Sequence, residues 1–189
     1  PTGTYSIVYQ ICESLNPANC DSATITVAVN QAVVLANDDT PTATTGIAGD
    51  PNLLDALAND TVGGTPATTG TVSIAILTPA SNPSVALNPA TGIVSVAPNT
   101  PAGSYTITYQ ACEIINPANC DPATIIVNVS AATINAVNDT PPSTTSAGDA
   151  NLINAFANDT LNGVAVDPAA TTATITAQTS PNVTMDVTS

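Results

Sequence analysis

The chain contains no lysine, no arginine and no histidine, so its 14 acidic residues have no side-chain counter-ion and the formal net charge is −14. Contacts with nucleic-acid phosphates are made mainly by Lys and Arg, and docking on anionic lipid depends on the same residues. The composition therefore argues against both kinds of partner. No apolar run approaches the roughly 18 residues of a membrane-spanning helix, so this segment is not expected to insert into a membrane.

The same absences argue against an enzyme. General bases are most often His, and Schiff-base chemistry needs Lys. Paired carboxylates could still act as in glycosidases, but the only two glutamates, Glu13 and Glu113, are exactly one hundred residues apart. An internal repeat explains that spacing better than an active site does, and we expect no catalysis.

Aromatic residues make up only 3% of the chain, while 43% is hydrophobic, so any core must consist mainly of Val, Ile, Leu and Ala. No segment sustains a helical apolar period, and turn clusters such as residues 88–92 and 99–104 separate short β-like runs. Seven runs in about one hundred residues predict an all-β fold, an immunoglobulin-like or cadherin-like sandwich. The predicted strands lie near 40–45, 53–58, 72–77, 84–88, 93–97, 104–112 and 121–130.

The chain repeats itself with a period of about one hundred residues. "YQICESLNPANCD" at 9–21 returns as "YQACEIINPANCD" at 109–121, and "NLLDALANDT" at 52–61 matches "NLINAFANDT" at 151–160. This period suits one β-sandwich and is too long for a solenoid repeat. We interpret 1–30 as the end of one repeat, 31–130 as a complete repeat and 131–189 as the start of the next, cut from a longer tandem array.

Strand parity predicts the placement of both cysteine pairs. The side chains that share one face of the last two strands are Tyr105, Ile107, Tyr109, Ala111, Ala123, Ile125, Val127 and Val129. Cys112 and Cys120 have the opposite parity, as do Cys12 and Cys20, and so point away from the core. We expect Cys12–Cys20 and Cys112–Cys120 disulfides at the hairpin tips and an oxidising, extracytoplasmic location. The alternatives are a metal site, disfavoured without further ligands, and redox thiols, disfavoured without a Cys-x-x-Cys motif.

The stretch "TPAGSYTITYQACEIINPANCDPATIIVNV" (100–129), together with "AVNDTPPSTT" (136–145) and "FANDTLNG" (156–163), resembles the tandem repeats of large bacterial surface adhesins. These are the Ig-like and cadherin-like repeats of gliding Bacteroidetes, which are typically exported by type IX secretion. The resemblance implies a stalk or filament at the cell surface, with calcium at some junctions.

That resemblance also implies O-glycosylation of Asp-(Ser/Thr)-apolar tripeptides. Ser22, Thr61 and Thr160 stand in such tripeptides, whereas Asp121-Pro122 departs from the pattern. The alternative is that Asp and Thr simply favour turns.

With Ig-type topology, five acids would converge where one repeat meets the preceding one: Asp38, Asp39, Asp60, Glu113 and Asp121. Calcium takes six to eight oxygen ligands, so we predict a calcium site here that stiffens the joint. A weaker equivalent would involve Asp139 and Asp159 in the next repeat. The alternative is a set of hydrated turn residues.

The function expected from these features is a structural stalk of an extracellular surface fibre, whose partners are the neighbouring repeats. The rival is a repeat that itself binds surface glycans, proteins or other cells. Recognition surfaces are rich in Trp, Tyr and Arg; this chain lacks Trp and Arg, and its four tyrosines occupy predicted core positions.

Overall fold

The computed structural model describes residues 2–41 and 44–185, and over these residues the protein is all-β. Its only helical element there is a single 3₁₀ turn, Pro168–Ala170. The strands are β1 (Gly3–Cys12), β2 (Cys20–Val29), β3 (Val34–Leu35), β4 (Thr44–Thr45), β5 (Asp50–Asp55), β6 (Thr61–Val62), β7 (Thr65–Pro66), β8 (Val72–Thr78), β9 (Val85–Leu87), β10 (Ile93–Val96), β11 (Gly103–Glu113), β12 (Cys120–Ser130), β13 (Ile134–Asn135), β14 (Thr160–Leu161) and β15 (Val164–Ala165). Within this part of the chain, no helix is long and apolar enough to cross a membrane.

Two sheets form a sandwich in the predicted complete repeat. One has the order β4-β12-β11-β8 and the other the order β5-β10-β9. Every pairing is antiparallel except that of β4 with β12, which is parallel. Apolar side chains of both sheets belong to a single buried cluster. The division of strands between the sheets is that of an immunoglobulin-type sandwich. A third, small sheet has the order β3-β6-β7; β3 precedes β4, and β6 and β7 lie between β5 and β8 in sequence.

Each of the seven predicted runs of this repeat overlaps a strand. The second run is displaced, because β5 begins at Asp50 and ends at Asp55, before the segment that reaches Asp60. Residues 42 and 43 of the first run lie outside the described residues. β3, β6 and β7 were not predicted, because they have only two residues each and so short a strand shows no alternation of apolar and polar residues.

The β11–β12 hairpin has the predicted register and the predicted core face. Tyr109 pairs with Ala123 and Ile107 with Ile125, and all eight side chains of the predicted face are buried. The hydroxyl of Tyr105 donates to the carbonyl oxygen of Pro101 at 2.8 Å, a bond that ties the start of β11 to the preceding turn, as the tyrosine corner does in immunoglobulin-type domains.

The β1–β2 hairpin repeats this register pair by pair, from Gly3 with Val29 to Cys12 with Cys20. Its apolar face is exposed, however, because among the described residues it belongs to a two-stranded sheet with no second sheet across it. Tyr5 and Tyr9 are each 46% exposed. The prediction that all four tyrosines are core residues is therefore wrong for this pair and right for Tyr105 and Tyr109.

Both expected disulfides, Cys12–Cys20 and Cys112–Cys120, are present in the structure. Cys112 lies outside the apolar core cluster but is only 6% exposed, so its expected surface position is not found. The reason is that β11 has a strand on each side, with Cys112 paired to Ser73 of β8 as well as to Cys120. Cys12 has a partner strand on one side only and is exposed.

The chain divides into two compact units, one ending at Ala131 and the other beginning at Ala132. The first contains β1 to β12. The second contains the three-stranded sheet β13-β14-β15 and the 3₁₀ turn. The division into 1–30, 31–130 and 131–189 stays a prediction.

Candidate functional site

Four of the five predicted calcium ligands lie near one another, around the beginning of β12. Asp38 and Asp39 precede β4, Asp60 follows β5, and Asp121 is the second residue of β12. Asp55, at the end of β5, is a fifth member that the sequence analysis missed, since its charge acts on both Asp39 and Asp60. We call Asp38, Asp39, Asp55, Asp60 and Asp121 the acidic cluster.

Asp39 is the most constrained member of the acidic cluster. It is 6% exposed, and its Oδ2 atom has no hydrogen-bond partner among the described residues. Its backbone is held by β12: the amide of Asp39 donates to Thr124 O at 2.9 Å, and the amide of Ile126 donates to Asp39 O at 3.0 Å. Burial, and then the charges of Asp60, Asp38 and Asp55, raise the pKa of this carboxyl from 3.8 to about 7.

Asp60 joins the acidic cluster to the core. Its Oδ1 accepts from the amide of Asn37 at 2.7 Å, and its Oδ2 lies 3.0 Å from the hydroxyl of the fully buried Tyr109. That hydroxyl is also 2.9 Å from Ala56 O, so its single proton is shared between two acceptors. Burial is the main reason why the pKa of Asp60 is raised. Burial, and then the charge of Asp60, raise the pKa of the Tyr109 hydroxyl, which therefore stays protonated and acts as a donor.

The other two predicted members accept backbone hydrogen bonds. Asp38 Oδ1 accepts from the amide of Thr124 at 2.7 Å. Asp121 Oδ2 accepts from the amide of Ala36 at 3.0 Å. These bonds connect the segment that enters the repeat with the start of β12, and they satisfy backbone donors that no strand ladder pairs.

Glu113 has a local structural role. Its Oε2 accepts from the side-chain amides of Asn116 and Asn119, each at 2.9 Å. Bonds from Asn119 and then Asn116 lower the pKa of Glu113. Glu113 thus closes the loop between β11 and β12. The pKa of Glu13 is lowered in the same way by Asn19 and then Asn16 in the first hairpin, which accounts for the repeated glutamate.

As arranged, these acids do not form a calcium cage. Throughout residues 2–41 and 44–185, no group of three or more acidic or Cys side chains is arranged to hold a metal ion. Asp38, Asp60, Asp121 and Glu113 each direct carboxylate oxygens at protein donors. The exception is Asp39 Oδ2, a buried oxygen that would suit a cation.

The second unit reproduces one part of this site. Asp159 Oδ1 accepts from the amide of Val137 at 2.8 Å, as Asp60 accepts from Asn37. Asp139 is half-buried. The predicted glycosylation residues differ in access: Ser22 is exposed on β2, whereas Thr61 and Thr160 are half-buried in β6 and β14.

Comparisons with known proteins leave the family open. No protein-family model matches the chain, and no curated protein matches it in sequence. Among solved structures it is similar to cadherin domains 3–6 of protocadherin gamma B2, at 12% identity and a TM-score of 0.39, over 68% of this chain and 34% of that one.

Two further protocadherin structures give similar values. The protocadherin gammaB7 EC3-6 cis-dimer is 15% identical with a TM-score of 0.39, over 74% of this chain and 37% of that one. The protocadherin gammaB4 extracellular domain is 11% identical with a TM-score of 0.38, over 74% and 24%. This chain thus spans about a quarter to just over a third of their lengths, and scores this low support no conclusion about function.

Proposed function

We propose that this chain is a stalk segment of an extracellular bacterial surface fibre built from tandem β-sandwich repeats. It acts as a spacer and carries out no catalysis. Its partners are the repeats before and after it. The resemblance to adhesin repeats of Bacteroidetes supports the cell surface as its location, and two disulfides suit an oxidising compartment.

The observation that carries this proposal is the duplicated hairpin. Ten residue pairs of β1–β2 recur in β11–β12 with every number raised by one hundred, and each set ends in a disulfide. A repeat of this length that carries a complete sandwich core in one copy is the expected unit of a linear domain array.

The size and location of the native protein test this proposal. An antibody raised against the 189-residue chain should detect, after reduction, a polypeptide several times larger than 18.7 kDa, and on intact cells it should label fibres away from the membrane. A reduced band of only that mass, with no labelled fibre, would contradict the proposal. Binding of the purified chain on a glycan array would instead favour an adhesive module.

We also propose that calcium binds at the acidic cluster and stiffens the junction with the preceding repeat. The support is the buried, unpartnered Asp39 Oδ2 in a chain without any cationic side chain. For the ion to bind, the carboxylate of Asp38, Asp60 or Asp121 must give up its hydrogen bond to a backbone amide and coordinate calcium instead. Calorimetry should show heat of binding with CaCl₂ that MgCl₂ at equal ionic strength does not reproduce. No heat at millimolar calcium and an unchanged melting temperature with chelator would mean that these acids serve the fold alone.

Glycosylation is proposed first at Ser22, because it is the exposed member of the three predicted sites. Thr61 follows Asp60, whose carboxylate is already bonded to Asn37 and Tyr109. Mass spectrometry of the native protein should find a sugar on the peptide that contains Ser22. Unmodified peptides at all three sites would contradict this.

A further inference from the structure

One sheet of the sandwich ends in a long strand that lacks the usual protection of a sheet edge. β8 is the last strand of the sheet β4-β12-β11-β8, and it runs from Val72 to Thr78 without a charge, a proline or a glycine. The strands β4 and β9 have only two and three residues, and β5 contains Asp50, Pro51 and Asp55. Short length, charged side chains and proline each discourage pairing at an edge, so β8 is the edge of this sandwich that remains open to a further strand.

Alternate backbone groups of β8 have no neighbouring strand to pair with. The amide of Ile114 donates to Thr71 O at 3.0 Å, so these two residues form a hydrogen-bonded pair. Hydrogen-bonded pairs recur at every second residue of an antiparallel ladder, and the register from Val72 to Ile76 is regular. Ile74 and Ile76 therefore direct their N–H and C=O groups away from β11, to a side on which no strand lies in the described structure.

β8 and the strands on either side of it in sequence carry no charge over a long stretch. Residues 61–112 contain no acidic residue, although the whole chain has 14. The one acid that pairs with β8 on β11 is Glu113, which is 6% exposed and accepts hydrogen bonds from two asparagine side chains. Exposed apolar side chains lie along the edge instead, with Ile76 38% and Leu77 51% exposed. A second copy of this polyanion can therefore approach β8 without meeting a charge on the strand itself.

We propose that β8 of one chain pairs antiparallel with β8 of a second copy, about a two-fold axis at Ala75. The sequence Ile74-Ala75-Ile76 is symmetric about this axis, so Ile74 of each copy lies opposite Ile76 of the other. The outward N–H and C=O groups of both isoleucines then form backbone hydrogen bonds across the axis. Each copy contributes the same surface, so the contact is isologous and closes at the dimer.

A single contact of this kind is weak. An edge of seven residues buries far less surface than a standard interface, and repulsion between two chains of net charge −14 opposes association. We expect half-dimerisation at about 10 µM to 1 mM, with tighter association at about 0.3 M than at about 0.03 M NaCl. In a fibre of tandem repeats, a step that rests on the proposed function, such edges recur along the chain and join two fibres side by side through many weak contacts.

Sedimentation of the 189-residue chain tests the contact with two matched variants. Ala75 on β8 and Ala86 on β9 are both exposed, so Ala75→Glu and Ala86→Glu add the same charge at different edges of the sandwich. Ala75→Glu places two carboxylates opposite each other at the axis and should weaken association about tenfold, whereas Ala86→Glu should associate as the wild type does. A chain that stays monomeric over the whole range, or equal association of the three proteins, would overturn the proposal.

Cysteine cross-linking tests the register without adding a charge. The Cα atoms of a non-hydrogen-bonded antiparallel pair lie close together, as those of Cys112 and Cys120 do at 4.0 Å. Ala75→Cys should therefore form a covalent dimer with oxidised glutathione, and Ala86→Cys should form little. No excess of dimer from Ala75→Cys would overturn the two-fold pairing. Failure here is separable from failure of the stalk proposal, because the mass and labelling of the native fibre do not depend on dimerisation of the isolated chain.

Discussion

At the residue scale, the chain buries carboxylates without any cation to pair with them. A buried charge costs free energy unless it is paired or neutralised, and Asp39 and Asp60 both have raised pKa values for that reason. Protonation of Asp39 removes the charge. The stability of the fold should therefore depend on pH in a direction opposite to that of most proteins.

The first prediction follows from the direction in which folding changes the pKa of Asp39. Its pKa is 3.8 in the unfolded chain and about 7 in the folded one, so between these values only the folded chain holds the proton. The free energy of unfolding should fall as pH rises from about 4 to about 7, by at most about 4 kcal/mol less the part that solvent screening removes, and then level off. Denaturant unfolding at a series of pH values measures it.

Asp39→Asn should remove most of this slope and stabilise the protein at pH 8, while the exposed Asp149→Asn should leave the slope unchanged. Glu13 and Glu113 act in the other direction, since their lowered pKa values give stability that is lost as pH falls below about 4.5. Wild-type stability that rises between pH 5 and 7 would contradict the assignment.

The second prediction concerns the two buried tyrosines of β11. Tyr109→Phe leaves Ala56 O and Asp60 Oδ2 without their shared donor in the core, and should lower the free energy of unfolding by about 2–3 kcal/mol. Tyr105→Phe removes one bond to Pro101 O at the edge of the core, and should cost about 1 kcal/mol. Equal losses in urea unfolding would show that the acidic cluster does not depend on the Tyr109 hydroxyl.

The candidate site was predictable in part. Turn chemistry and an assumed topology predicted that Asp38, Asp39, Asp60 and Asp121 lie together. They did not predict the direction in which each carboxylate points. Asp55 and Tyr109 were missed. A signal for Tyr109 existed, because a tyrosine on a core face needs a partner for its hydroxyl. The local role of Glu113 was not predicted, because its asparagine partners lie three and six residues further along in the same loop, and short-range side-chain hydrogen bonds produce no sequence period.

At the element scale, the chain contains two hairpins of the same register with different surroundings. β11 is flanked by β8 and β12 and its inner face is covered, whereas β1 pairs with β2 alone in the part of the chain that the structure describes. A two-stranded ribbon without a covered face is marginal in water. The disulfide should therefore matter more to the first hairpin than to the second.

The third prediction compares the hairpins after reduction. Loss of a bridge closing about nine residues costs roughly 2.5 kcal/mol by loop-closure entropy. Amide hydrogen exchange should show β1–β2 exposed to solvent and β11–β12 still protected, apart from its tip near Glu113. Global unfolding on reduction would contradict this. So would a mass-spectrometric cross-bridge between the two cysteine pairs in the oxidised protein.

Strand ends were predicted accurately where the strand was long enough to show the alternation of apolar and polar residues. β11 and β12, with 11 residues each, were placed within one residue at both ends. β5 was displaced because "NLLDAL" is apolar on both sides of its true end, and the strand stops where Leu57 N bonds to Asp55 Oδ1. The uncovered state of β1–β2 could not be read from its own residues, which match those of the covered hairpin.

At the scale of the whole molecule, charge of one sign opposes compaction. With a net charge of −14 and no cationic side chain, every long-range interaction between charged side chains is repulsive. The fourth prediction is that the melting temperature rises by several degrees between about 0.01 and 0.3 M NaCl, because screening weakens that repulsion. Scanning calorimetry measures it, and a variant with Asp50→Asn and Asp149→Asn should show a smaller rise. A melting temperature independent of salt would contradict it.

The parallel contact between the entering segment and β12 decides how the repeat carries tension. Asp39 bonds to β12 at Thr124 and Ile126, and β4 pairs with Val129 and Ser130. The chain enters the repeat along one of these strands and leaves along the other, so a pull on its two ends drives them past each other. All of the backbone hydrogen bonds between them are then loaded together in shear. In a hairpin pulled open from one end, by contrast, such bonds would break one at a time. The loop closed by Cys112–Cys120 lies outside that line of force.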